Sequence, residues 1–323
     1  MTPLTRRSLL AGSAALAAAT TGLAGYKILG QPKTRVATLR AGSYDGPLSD
    51  LLLQGIRSFP DTVARAKGAR VVLKPNLVEY NPGRPINTHP RIIGAAVEAF
   101  RQLGAAEVVV AEGPGHRRDT ELILELCGLA EVLRDLRVPF VDLNVDRTRT
   151  VALPLDATGM GKLELAATAA GADLLVSVAK LKTHHWAGAT LSMKNLFGVV
   201  PGAVYGWPKN PLHWAGIPAS ILDLWSALKP GFAIIDGITG MEGDGPIMGD
   251  PVEMGCVVVG EQCPAVDATA ARLMGIRAEN LAYLDQASWS GGTVAASRIE
   301  VFGDVIQPRT FRVIERQAHI LAG

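Results

Sequence analysis

The stretch Asp173–Trp186, DLLVSVAKLKTHHW, decides how this chain is read. Leu174 to Ala179 is apolar except for Ser177, and cations follow at once. An unbroken apolar run of that length reads as a strand buried on both faces, as in a parallel sheet covered by helices. If the strand continues, Lys180, Lys182 and His184 share one face, because side chains alternate with period two. Such a cluster is unfavourable unless an anion or an acidic partner offsets it.

Working outward, the same grammar recurs. Val71–Leu73 runs into Lys74-Pro75-Asn76, Glu107–Ala111 (EVVVA) into Glu112-Gly113-Pro114-Gly115-His116, and Phe232–Ile235 into Asp236-Gly237. Further strands are expected at Val138–Leu143, Gly255–Val259 and Ile299–Phe302. Helical spacing marks Arg91–Leu103, Thr120–Leu133 with a break at Gly128, His213–Leu228 and Val266–Leu273. Strands separated by helices predict an α/β fold: a largely parallel or mixed sheet with helices on both faces. The polar stretch Asp156–Gly161 suggests two lobes, 34–160 and 161–305, with a tail at 306–323. In such folds ligands bind beyond the carboxyl ends of the strands, where the polar clusters fall.

The 323 residues carry a formal charge of +2, 19% charged and 48% hydrophobic residues. That composition excludes disorder, collagen, coiled coil and a multispan membrane protein. The near-neutral balance and the lack of basic residues interleaved with aromatics argue against nucleic-acid binding. Arg6-Arg7 precedes an apolar run from Leu9 to Leu29 interrupted by Lys27. A basic pair before a mild Ala/Gly/Thr-rich segment matches a twin-arginine export signal over residues 1–30, cleaved or kept as an anchor. This implies the twin-arginine translocation machinery as a partner, a periplasmic or envelope destination, and membrane contact only through this segment. Such a route carries folded proteins, often ones loaded with a cofactor.

Four clusters carry candidate chemistry. Lys74 and Asn76 stand at a strand end, and the loop beyond closes at Thr88-His89-Pro90, where Thr88 is placed to cap the next helix and His89 to meet an anion. Glu112–His116 offers a carboxylate and an imidazole on a glycine-rich turn. Lys180, Lys182 and His184, followed by Lys194-Asn195, form the strongest cluster. Asp236–Pro246 supplies Asp236 and Glu242 as candidate ligands for a divalent or transition metal, or as partners for the lysines, with Gly243 and Gly245 allowing close backbone approach. Cys127, Cys256 and Cys263 include no C-x-x-C pair, so a cysteine-ligated iron–sulfur cluster within this chain is excluded. Cys256 and Cys263 read as buried small hydrophobes, or alternatively as a disulfide. No H-E-x-x-H, P-loop, G-x-G-x-x-G after a strand or G-x-S-x-G occurs.

The strings KPNLV (Lys74–Val78), THP (Thr88–Pro90), KLKTHHWAGATLSMKNLFG (Lys180–Gly198) and DGITGMEGDGPIMGDP (Asp236–Pro251) resemble the domain of unknown function 362 family over roughly Val71 to Gly275. The resemblance places Lys74, Asn76 and His89, then Lys180, Lys182, His184, Lys194 and Asn195, then Asp236, Glu242, Gly243, Gly245 and Pro246 in the family motifs. It implies no defined reaction. Family members with ferredoxin-type segments differ from this chain, which has too few cysteines for them. The scheme is also distantly similar to lactate racemase-type proteins, which use paired histidines and a nickel-bearing cofactor.

Three functions remain open on this reading. The first is an enzyme acting on a small anionic substrate, carboxylate or phosphate. Lys182, His184 and Lys180 would be its catalytic groups, and Lys74, Asn76, His89, Lys194, Asn195, Gly243 and Gly245 would bind the substrate. The second is a metal- or cofactor-dependent racemase or redox protein. The third is a non-catalytic envelope module that captures a ligand.

Overall fold

The computed structural model describes residues 32–115, 119–207 and 209–321; the expected export segment and His116 lie outside them. Among the described residues eleven strands form: β1 Thr34–Arg40, β2 Arg70–Pro75, β3 Glu107–Glu112, β4 Phe140–Asp142, β5 Thr148–Ala152, β6 Lys162–Ala166, β7 Leu174–His184, β8 Gly188–Thr190, β9 Phe232–Glu242, β10 Asp250–Gly260 and β11 Ile299–Gly303. The main sheet has the order β11-β1-β10-β9-β7-β2-β3-β4, with β8 folded back onto β7, and β5–β6 is a separate hairpin. The five strands β9-β7-β2-β3-β4 run parallel, whereas β10 is antiparallel to both β9 and β1. The expected α/β class with a mixed, mainly parallel sheet is what the chain forms.

The continuous apolar strands are explained by what lies on either side. Val71 and Leu73 pack on one face with α1 (Leu48–Arg57), α2 (Pro90–Gln102) and α3 (Leu129–Asp135). Val72 points the other way, into the core built with α6 (Ile217–Leu228), α7 (Cys263–Leu273) and α8 (Ala282–Trp289). Both faces being covered, neither register of side chains can be polar until the strand leaves the core.

The two stretches expected to form separate lobes share this sheet. β2 pairs with β7 from Val71↔Leu174 to Pro75↔Val178, so residues on both sides of position 160 build one layer. The described residues from Thr34 onward form one compact unit. The polar Asp156–Gly161 stretch is the turn of the β5–β6 hairpin, tied down by Asp223, whose carboxylate accepts from Ala157 N, Thr158 N and Thr158 Oγ1. The helix expected over His213–Leu228 is two helices, α5 (Asn210–Trp214) and α6, separated at Gly216, whose φ of +100° no helix accommodates. Cys127, Cys256 and Cys263 are free thiols, the last two buried. Among the described residues no helix is long and apolar enough to cross a membrane.

The order of the parallel strands places the ligand end of the sheet. From β2 the chain moves outward through β3 to β4, then returns to the opposite side of β2 as β7 and continues to β9. The direction of winding reverses between β2 and β7, and such a switch point leaves a crevice outside the strand ends. The one-turn helix α4 (Ser192–Asn195) is pinned there by the buried Asp267 of α7. Its carboxylate accepts from Ser192 N (2.7 Å), Ser192 Oγ (2.5 Å) and Met193 N (3.0 Å).

Asp267→Ala leaves those donors unpaired, and losing three bonds to one buried carboxylate costs about 3 kcal/mol or more. Denaturant unfolding is expected to show that loss, and a change below about 1 kcal/mol would contradict the role given to Asp267.

Candidate functional site

A cavity of about 380 Å³ opens at the carboxyl ends of β2 and β3, beside the overhanging end of β7. Among its described lining residues are four lysines (Lys74, Lys182, Lys194, Lys209), three histidines (His184, His185, His213) and one carboxylate, Glu112. Lys74 and Lys182 are fully buried, Lys209 nearly so, and Lys194 half-buried.

Glu112 is fully committed. It accepts from Lys74 Nζ at 2.6 Å, Leu77 N at 3.1 Å and Gly113 N at 2.8 Å. Gly198 closes over this pair, and a Cβ there would lie 1.8 Å from Glu112 Oε1, which is why the position needs glycine. The other three ammonium groups have no carboxylate partner among the described residues. Lys182 donates to Ile86 O (2.6 Å) and Pro246 O (3.4 Å), and Lys209 to Gly113 O (3.0 Å) and Phe197 O (3.1 Å). Lys194 Nζ stands 4.0 Å from the Phe197 ring centroid, a cation–π contact.

Burial and mutual repulsion make these lysines weak bases. Burial, then the neighbouring Lys194 and Lys180, holds Lys182 well below the usual lysine value. Burial and Lys74, partly opposed by Glu112, bring Lys194 to about 8. Burial, opposed by Glu112, brings Lys209 to about 7. Burial also lowers Lys74, with Glu112 opposing.

The histidines divide by tautomer. His184 Nδ1 accepts from Trp186 N (3.0 Å) and Ala187 N (3.2 Å), and burial holds the ring neutral. Its proton therefore sits on Nε2, a donor and not a base. His213 Nδ1 lies 3.3 Å from Lys209 O. A carbonyl only accepts, so that nitrogen carries the proton and Nε2 keeps the lone pair. The Trp186 and Phe197 rings meet His213 edge-on at 5.7 and 5.9 Å.

Of the residues expected from sequence, Lys74, Asn76, Lys182, His184, Lys194 and Asn195 meet at this cavity. Lys180 and His89 do not. Lys180 lies opposite Asp236 in the β7–β9 register, and the register shifts before Lys182. Its Nζ binds Asp236 Oδ2 at 2.8 Å and Tyr44 Oη at 2.9 Å, a buried network away from the lysine cavity. His89 belongs to the same network: its N–H donates to Asp236 Oδ2 (3.0 Å) and its ring stacks on Tyr44 at 3.6 Å. His89, not Thr88, caps α2, its Nδ1 accepting from Arg91 N, and burial lowers its pKa to about 4. Thr88 instead links the two central strands, accepting from Asn76 N and donating to Val178 O.

Asp236 and Glu242 are not brought together as a cation site. Asp236 is held by Lys180, Tyr44 and His89, and Glu242 binds Arg312 through its backbone N and Nε, both at 2.9 Å. Among the described residues no group of three or more His, Cys, Asp or Glu is placed to hold a metal. The paired His184 and His185 do not supply one, since the Nδ1 of His184 is already used. Gly243 and Gly245 shape the chain instead of lining the cavity. Gly243 has φ +85°, its N–H bonds Arg312 O, and a Cβ on Gly245 would lie 2.0 Å from Thr183 O. Pro246 and Ile247, just beyond, are what reach the wall.

Sequence reading missed Lys209, His213 and Thr190. The available signal was the Lys209–His213 spacing of four at a helix start, in a Pro-rich segment that otherwise looks like a linker. Lys209 also sits at φ +68°, an uncommon backbone state for a lysine and one that clusters at functional sites.

In the unfolded chain these lysines regain their ordinary value of 10.5. Between the folded and unfolded values the unfolded chain binds more protons, so stability rises with pH. The ligand-free protein is therefore expected to gain melting temperature from pH 7 to 9. Above about pH 9 the buried Cys256 and Cys263 thiols, pushed up to about 12, oppose the gain and flatten it. A melting temperature that falls steadily from pH 7 to 9 would contradict the assignment of desolvated lysines.

Comparison with known proteins fits this geometry to a family. The chain is 31% identical over 248 residues to the thylakoid-associated protein sll1697 of Synechocystis sp., covering 72% of each. Among solved structures it aligns with the lactate racemase apoprotein of Thermoanaerobacterium thermosaccharolyticum at a TM-score of 0.43 and 16% identity, covering 72% of this chain and 54% of that one. It aligns with a Thermotoga maritima protein at 0.39 and 14%, covering 75% and 59%. The chain thus spans little more than half the length of each of these two structures. The model of the domain of unknown function DUF362 matches residues 71–272, the span that contains β7, β9, all but the first residue of β2 and every described lining residue of the lysine cavity, and the chain belongs to the DUF362 family.

Proposed function

We propose that this protein is an exported enzyme that binds a small carboxylate or phosphate in the lysine cavity and moves a proton on it. The observation that carries this reading is the imbalance of the wall: among its described residues four lysines face one carboxylate, and that carboxylate is already saturated. An anion entering the cavity supplies the missing charge, and each ammonium it meets regains basicity. Lys182, Lys194 and the Nε2–H of His184 are the groups that hold it. Lys209, with a pKa of about 7, exchanges a proton near neutral pH, and His213 Nε2 offers a second basic site. A merely capturing module would use the same wall, but lysines brought near neutral pH favour acid–base work over capture. Asp236 and Glu242, both taken by cations, give no support to a metal-dependent racemase or redox role.

Export rests on Thr5-Arg6-Arg7-Ser8-Leu9-Leu10 and the apolar stretch that follows. A relative named as thylakoid-associated is consistent with work at or beyond a membrane.

Calorimetry with inorganic phosphate and acetate is expected to show saturable binding to the wild type. Lys182→Met should weaken it at least tenfold, one charge-assisted contact being worth roughly 1.5–3 kcal/mol. Relief from burying the Lys182 ammonium offsets the loss of its bonds to Ile86 O and Pro246 O, so the melting temperature should stay nearly unchanged. A large loss of stability with binding retained would contradict the reading. For export, the double variant Arg6→Lys, Arg7→Lys is expected to remain in the cytoplasmic fraction of the native host. Unimpaired export would remove the twin-arginine assignment.

A further inference from the structure

The hydrogen bonds behind the cavity have a fixed direction, and the direction leaves one acceptor over. Ser177 Oγ donates to Ser192 O at 2.9 Å, so it can only accept from Asn195 Nδ2, at 3.1 Å. The same Nδ2 donates to Lys74 O at 2.9 Å. That orientation makes Asn195 Oδ1 the acceptor for Lys74 Nζ (3.1 Å) and for Asn76 Nδ2 (3.2 Å). The Asn76 amide is thereby oriented too. Its Oδ1 is buried with no partner, in a residue only 8% exposed. Thr190 Oγ1, in a residue 3% exposed, is likewise buried and unpaired. Asn76 and Thr190 both line the lysine cavity.

A buried polar atom without a partner costs about 1–3 kcal/mol, which a bound ligand can recover. Lys182, Lys194 and the Nε2–H of His184 give the cavity a wall of donors, suited to the oxygens of an anion. Asn76 Oδ1 asks for the opposite, a donor on the ligand. A ligand ammonium group would be repelled by the lysines around it, whereas a hydroxyl would not.

Resting on the anion-binding reading above, we propose that the ligand is a hydroxylated anion, whose carboxylate or phosphate meets the lysines while an adjacent hydroxyl donates to Asn76 Oδ1. The hydroxyl oxygen is then free to accept from Thr190 Oγ1. The site distinguishes such a ligand from its deoxy analogue because the analogue leaves Asn76 unpaired.

Matched pairs test this on the wild-type protein: glycolate against acetate, and 2-hydroxyethyl phosphate against ethyl phosphate, by calorimetry at pH 7. The hydroxylated member of the pair whose head group binds is expected to bind roughly tenfold tighter, the worth of one neutral hydrogen bond. Asn76→Ala is expected to abolish that difference while still binding the unhydroxylated member. Equal affinity within each pair overturns the inference and leaves anion binding standing. A difference retained in Asn76→Ala overturns the role of Asn76. No binding of any of the four at millimolar concentration overturns the anion-binding reading itself.

Discussion

The buried ion pair between Lys74 and Glu112 is the interaction on which the site depends. It joins the ends of β2 and β3, and Glu112 also accepts from the backbone of Leu77 and Gly113 at the start of two cavity loops. Lys74 in turn orients Asn195, which orients Asn76. A buried pair of this kind is weak evidence for stability, because desolvation offsets most of the attraction. Its consequence here is one of accounting. With Glu112 consumed by Lys74, nothing on the described wall compensates Lys182, Lys194 and Lys209 except backbone carbonyls and an aromatic face. Those neighbours tolerate a neutral amine, and hence hold the lysines at depressed basicity.

The topology explains why this cluster sits where it does. Lys74 lies at the end of β2 and Lys182 and His184 on the overhang of β7, the two adjacent strands between which the winding reverses. Side chains that leave the core at that point meet the crevice such a reversal leaves. The α4 turn fills its floor, held from the far layer by Asp267. The hydrophobic layers therefore fix the geometry of the charged groups, and cost no conformational freedom at the site when a ligand binds.

Much of this was legible in the sequence because both-face burial leaves a strong signature. The runs at 71–73, 108–111 and 174–179, Ser177 apart, are apolar since helices cover each side, and the polar residues directly after them mark the strand ends. What misled was local composition. Asp236–Glu242 looks like a glycine-rich loop but completes β9. Gly237 and Gly240 are there because β7 and β10 press closely: a Cβ at Gly240 would lie 2.9 Å from Leu181 O, and one at Gly237 3.1 Å from Cys256 O. Lys180 shares the period of Lys182, yet period does not say which strand lies alongside, and Asp236 in the neighbouring strand claims it. β1, TRVATLR, was missed because its apolar residues are few and interrupted by arginines. Lys209 and His213 reach the cavity through a segment whose path only the tertiary fold determines.

Proton uptake on anion binding tests the account most directly. Phosphate or a small carboxylate would be titrated into the protein at pH 7.5 in buffers of different ionisation enthalpy, so that the number of protons taken up follows from the dependence of the heat on buffer. If desolvated lysines form the site, binding raises their basicity and draws a measurable fraction of a proton from the buffer. Uptake should grow toward pH 8 and shrink toward pH 6, where Lys194 and Lys209 are already charged and only more strongly desolvated groups such as Lys182 can still gain a proton. Binding with no proton uptake across that range would mean that the anion is held by lysines of ordinary basicity or by other groups, and the central claim would fall.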